Sequence, residues 1–69
     1  MQKTIKIKGM MCGHCEAHVR KALEGLAGVV SAKPDHVKGQ AVVELSQDVT
    51  DDVFKKAIGE AGYEYQGLL

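Results

Sequence analysis

Polar and apolar residues alternate over residues 3–8, with Ile5 and Ile7 on one side and Thr4, Lys6 and Lys8 on the other, as in a strand covered on a single face. From Val19 the spacing changes. Val19, Ala22, Leu23 and Leu26 recur at helical intervals and predict a helix from about Cys15 to Leu26, with Cys12 in the loop before it and Gly28 as the stop. Val29 to Asp35 reads as a second strand, and Pro34, with no N–H to give to a ladder, places it at a sheet edge. Lys38-Gly39 then makes a hairpin turn into a third strand with Ala41, Val43 and Leu45 on one face. Thr50 caps a second helix, with Asp51 and Asp52 in its first turn, Phe54, Ala57, Ile58 and Ala61 as its buried stripe and Gly62 at its end. Tyr63 to Leu69 supplies a short last strand, so the order is β-α-β-β-α-β.

The two halves resemble each other. Val19-Arg20-Lys21-Ala22-Leu23 returns as Phe54-Lys55-Lys56-Ala57-Ile58 at an offset of 35 residues, as expected of two copies of one β-α-β unit. The same offset sets Cys12 opposite Gln47 and Cys15 opposite Thr50. The second unit is built without thiols, so the scaffold does not need them and the cysteines read as functional.

Composition narrows the class. The 69 residues make one domain, 1–69, of α+β type, and a chain this short buries only about 60% of the surface it exposes when unfolded. With 45% hydrophobic and 26% charged residues it is ordinary for a folded soluble protein. No run of 18 or more apolar residues exists and the N-terminus alternates, which argues against a membrane span or a signal peptide and for a cytoplasmic protein. Zero net charge argues against nucleic acid as a partner. The sum hides an asymmetry of +4 over residues 1–33 and −4 over 34–69, and Lys8, Arg20 and Lys21 stand as a candidate basic rim beside the cysteines for an acidic partner.

Both cysteines fall in Gly9-Met10-Met11-Cys12-Gly13-His14-Cys15, just ahead of the first helical repeat. In a reducing compartment such spacing points to metal binding or redox chemistry rather than a structural disulfide. Unpaired N–H groups and the dipole at a helix N-terminus favour thiolate, the form that does either. Two thiolates suit soft ions such as Cu(I), Zn(II) and heavier thiophilic metals. Cu(I) is satisfied by two sulfurs, whereas structural zinc takes four ligands and would have to recruit His14 and His18. His14 could tune the thiols or share a metal or proton transiently; Met10 reads chiefly as core under the loop, Met11 as an exposed loop residue, and Tyr63 as a neighbour packed beneath the cysteines. His36 is assigned nothing.

The segment Gly9 to Cys15, followed by Val19 and Leu23 and later by Gly28-Val29 and Gly62-Tyr63, resembles the heavy-metal-associated domain, whose motif is Gly-Met-x-Cys-x-x-Cys. That family comprises small copper chaperones and the metal-binding domains of copper-transporting P-type ATPases. The resemblance implies a ferredoxin-like sandwich: a four-stranded antiparallel sheet with both helices on one face and strand two at an edge. It implies that Cys12 and Cys15 hold Cu(I) in near-linear coordination and pass it to a copper-handling partner of the same fold, with no enzymatic step. Tyr63 and His14 match a tyrosine near the metal loop and a histidine inside the motif of bacterial members, and Pro34 departs from an apolar strand position. A monomer is expected, which copper shared between two exposed cysteine pairs could bridge into a dimer. An ATPase module, or a mercury- or zinc-binding homologue, is the nearest alternative, and a start at Met1 favours the freestanding chaperone. Cys12-Gly13-His14-Cys15 is also the signature of disulfide isomerase domains, but the thioredoxin-like fold needs roughly 100 residues, an aromatic where Met11 stands and a cis-proline that Pro34 falls too early to supply.

Overall fold

Burial follows the alternation strand by strand. A computed structural model describes residues 1–69 as β1 (Gln2–Lys8), α1 (Gly13–Glu24), β2 (Val29–Asp35), β3 (Gln40–Leu45), α2 (Asp51–Glu60) and β4 (Glu64–Leu68). The sheet is antiparallel throughout, in the order β2-β3-β1-β4. Register sets Ile5 against Ala41 and Pro34 against the same Ala41, while Lys3 and Ala32 both meet Val43, so alternate residues of three strands share one face. Both helices pack on that face. Val19 and Leu23 of α1 and Phe54 and Ile58 of α2 join Ile5, Ile7, Ala32, Ala41, Val43 and Leu45 in a single core that holds no buried charge. Each large side chain fully withdrawn from water there contributes about 1.5–3 kcal/mol. This is the ferredoxin-like fold expected from the sequence, with β2 at an edge as Pro34 requires.

Three helix boundaries differ from expectation, and β4 is one residue shorter at each end than expected. Helix α1 starts at Gly13, not Cys15, and Cys12 becomes its N-cap residue, in extended conformation, with its carbonyl accepting the Glu16 N–H at 3.1 Å. The apolar repeat could not mark this turn, because Gly13 and His14 face solvent. The helix also ends at Glu24, with Gly25 as C-cap, and Leu26 closes a tighter turn by donating its N–H to the Leu23 carbonyl. In α2, Thr50 occupies the N-cap position but its hydroxyl makes no capping bond, and Ala61 is the half-buried C-cap rather than a helical residue.

β1 and β2 both run opposite to β3, so they end at the same side of the molecule, and the pairing of Lys8 with Glu64 brings the start of β4 there too. The β1–α1 loop, the β2–β3 turn and the α2–β4 loop therefore share one end. The β2–β3 turn is internally tied: Asp35 Oδ1 accepts the N–H groups of Val37 (2.9 Å) and Lys38 (3.2 Å). At the opposite end Gly28, at φ +94°, lies where an added Cβ would come within 2.8 Å of Gln47 Cγ, which explains a glycine after α1.

Along the free margin of β2, outward N–H donors are taken by side chains of α1. Glu24 Oε2 accepts the Ala32 N–H at 3.2 Å and Glu16 Oε2 accepts the His36 N–H at 2.8 Å, while Pro34, midway between, has no N–H to leave open. Outward-facing donors of an edge strand recur every second residue, so the donors at 32, 34 and 36 are all accounted for.

Candidate metal centre

The loop Gly9–Cys12 delivers two sulfurs to the start of α1. Gly9 sits at φ +107°, so any larger residue there would be strained in its backbone, although its Cβ would only reach ordinary contact, 3.5 Å, with the Tyr63 ring. Cys12 is exposed, Cys15 is half-buried in the first helical turn, and both are free thiols with Sγ atoms 3.9 Å apart. That separation is well beyond a disulfide bond of about 2.05 Å. It is shorter than two metal–thiolate bonds of about 2.3 Å laid end to end, so one ion can touch both sulfurs.

Electrostatics favour the thiolate. The Met11 backbone N–H, then the Tyr63 hydroxyl, then Cys12, pull the Cys15 thiol down from 9.0 to about 7, against the opposing effect of partial burial. The same proximity acts in reverse on Tyr63, whose hydroxyl is pushed up by Cys15 first and by burial second. The Cys15 thiol is thus more readily ionised near neutral pH than an ordinary cysteine.

Other residues flagged by the sequence fall in different places. Met10 is 7% exposed and belongs to the core, whereas Met11 is 82% exposed at the loop tip. Tyr63 is half-buried against the loop, just outside β4. His14 is exposed, and His18 is exposed in the groove between α1 and α2. No group of three or more His, Cys, Asp or Glu side chains gathers anywhere in the molecule, so the four-ligand site built with His14 and His18 is not assembled. The basic rim is likewise divided. Arg20 pairs with Glu24 at 3.2 Å in the groove between α1 and β2, while Lys21 lines the groove on the other flank of the helix.

The sequence reading missed His36. Its backbone N–H and its ring Nδ1 both meet Glu16 Oε2, one residue beyond Cys15, and this pairing holds the Glu16 carboxyl below its ordinary range. A signal existed, because a β-α-β unit brings the end of its second strand beside the first turn of its helix.

Comparison with known proteins agrees with this geometry. The family model for the heavy-metal-associated domain matches residues 4–64. The chain is 38% identical over 65 residues to the copper chaperone CopZ of Staphylococcus haemolyticus, covering 93% of this chain and 96% of that one. It is 40% identical over 60 residues to the mercuric reductase of Serratia marcescens, covering 87% of this chain but only 13% of the reductase. Among solved structures, a CopZ metallochaperone superposes with a TM-score of 0.87 at 34% identity, over 96% of this chain and 100% of that one. A copper-binding domain from HMA7, a P-type ATPase, does so with a TM-score of 0.86 at 28% identity, over 99% of this chain and 92% of that one.

Proposed function

The chain belongs to the heavy-metal-associated domain family, and on that premise we propose that it is a single-domain cytoplasmic copper chaperone that carries one Cu(I) on Cys12 and Cys15 and hands it to a copper-handling partner. The observation that carries this reading is a pair of free thiols 3.9 Å apart at a helix N-terminus, Cys12 exposed and Cys15 half-buried, with no His, Asp or Glu side chain gathered beside them as a third ligand. Two soft ligands satisfy Cu(I) and fall short of what zinc or a hard cation requires. Likeness along nearly the whole length of a copper chaperone supports the delivery role, and likeness to a P-type ATPase domain supports an acceptor of the same fold.

Transfer follows from low coordination. With two ligands from one side, the open side of the ion admits a thiolate from the partner, which displaces the exposed Cys12 first and the half-buried Cys15 second. The N-terminal field of α1 and the Tyr63 hydroxyl stabilise each sulfur as it becomes a free anion. No substrate bond is broken, so the protein acts without being an enzyme. The ion is cargo throughout.

One observation favours a second cargo: mercuric reductases carry a segment 38–40% identical to this chain, and thiolate pairs also take Hg(II). Both readings are decided by anaerobic titration of the reduced protein with Cu(I), Hg(II) and Zn(II) against competing chelators. One Cu(I) per chain with only sulfur neighbours is expected, and Cys12→Ser should weaken retention by more than about 100-fold, beyond the loss seen when outer partners of a metal ligand are removed. A folded, reduced protein that ignores Cu(I), or that binds it equally after both cysteines become serine, overturns the proposal.

A further inference from the structure

We propose that the β2–β3 turn is a bracket that fixes the two sulfurs in register for copper, with His36 as its positioning residue. This rests on the reading of Cys12 and Cys15 as the copper ligands. The loop that carries Cys12 makes few bonds of its own: Gly9, Met10 and Met11 make no backbone–backbone hydrogen bond, and the first such bond is the Cys12 carbonyl accepting from Glu16. Met10 pins it to the core and the Met11 N–H meets the Cys15 sulfur, and beyond these its position is set by its two flanks. The β2–β3 turn grips both. On the strand side, the Ile7 N–H donates to the Gly39 carbonyl at 2.8 Å, two residues before the loop begins. On the helix side, the His36 N–H and ring reach Glu16 Oε2, and Glu16 in turn donates its own N–H to the Cys12 carbonyl.

Glu16 is the only acidic residue in the first turn of α1, and its carboxylate would ordinarily fold back on the exposed N–H groups of that turn. Here it reaches outward to the turn. His36 must carry its proton on Nδ1 to meet a carboxylate, which fixes the tautomer and leaves Nε2 pointing elsewhere. Asp35 stiffens the bracket from within through Val37 and Lys38, so the tie ends on an ordered element. The chain His36–Glu16–Cys12 thus transmits the position of a rigid turn to the helix cap that bears the first sulfur. Releasing it leaves the fold standing and lets the sulfur pair wander.

The test compares His36→Ala, Glu16→Ala, their double variant and His36→Asn, whose amide nitrogen can take the place of Nδ1. Lys3→Ala serves as the control, since it removes the ion pair to Asp48 at the far end of the molecule. Cu(I) affinity is measured by chelator competition, global stability by urea, and exchange of the Glu16 amide in the metal-free protein by NMR. His36→Ala and Glu16→Ala should each lower Cu(I) affinity about threefold to tenfold, at the low end of the effect of outer partners on metal sites. The double variant should lose no more than either single one, His36→Asn should restore affinity, and Lys3→Ala should leave it unchanged even if stability falls. Faster Glu16 amide exchange in His36→Ala, relative to the Leu23 amide, is expected whether or not copper binds. Wild-type affinity in His36→Ala, additive losses in the double variant, or unchanged Glu16 exchange would each overturn the bracket. Failure of the wild-type protein to bind Cu(I) would sink the copper reading instead, with the exchange measurement still deciding whether the bracket holds the turn.

Discussion

The two helices lie against one core yet begin at different heights above it. In α2 the first core residue, Phe54, comes four residues after the Thr50 cap; in α1 the fully buried Val19 comes seven residues after the Cys12 cap. Helix α1 therefore carries one extra turn, Gly13-His14-Cys15, of which only Cys15 packs against the margin of the core, leaving Cys12 exposed and Cys15 half-buried. The first turns also differ in charge. Asp51 and Asp52 answer the positive end of α2, whereas α1 has Glu16 alone, and His36 draws it aside. The field at the start of α1 is left to the thiols. The site is an addition to one copy of a repeated unit, not a change to the unit itself.

Truncating the stripes tests that separation most strongly. Phe54→Ala should cost about 3–5 kcal/mol and Leu23→Ala about 2–5 kcal/mol in urea unfolding, out of a total of about 3–10 kcal/mol for a chain of this length. Copper affinity of the folded fraction should be unchanged by both. A loss of affinity with Leu23→Ala alone would show that core and site are coupled after all.

Grafting probes the missing turn. Gln47→Cys with Thr50→Cys places thiols at the repeat-equivalent positions of the second unit, but Gln47 is packed toward Gly28 and Asp48, Asp51 and Asp52 would oppose two thiolates. In a Cys12→Ser, Cys15→Ser background, this pair should retain Cu(I) at least about tenfold less tightly than the natural pair, a gap of about 1.4 kcal/mol. Equal retention would mean that any two sulfurs at a helix start suffice.

The smallest expected effect concerns protons. Because the Cys15 thiol is lowered to about 7, alkylation of the metal-free protein should rise with a midpoint near pH 7, and Tyr63→Phe should move that midpoint upward by less than about one unit. The Met11 N–H, the foremost cause, remains. The sign for stability follows: a depressed acid stabilises the fold above its unfolded value near 9 and loses that contribution as pH falls through about 7, so Tyr63→Phe should narrow the stability difference between alkaline and mildly acidic solution. An unmoved midpoint would remove Tyr63 from the electrostatics of the loop.

The order of elements was legible in the chain because each strand and stripe pairs an apolar period with a core face, and Pro34 alone announced the edge. The start of α1 was not, since a turn that faces water leaves no apolar trace. Nor could charges counted along the chain reveal that Arg20 and Lys21, adjacent in sequence, lie about 100° apart around the helix and open onto different grooves. His36 was overlooked for a third reason: its partner lies 20 residues away, and it becomes visible only when the crossover of the β-α-β unit is followed to the end of its second strand.

The outer margin of β2, with its N–H donors taken, limits how these molecules can stack. Endless ribbons of strands require an open rim on both sides of every subunit, and here one rim has its N–H donors at 32 and 36 taken by carboxylates and none to offer at Pro34. On β4 no side chain bonds the backbone, so a second molecule could add there, and growth would end with that pair. Such one-sidedness allows pairing without setting into fibres.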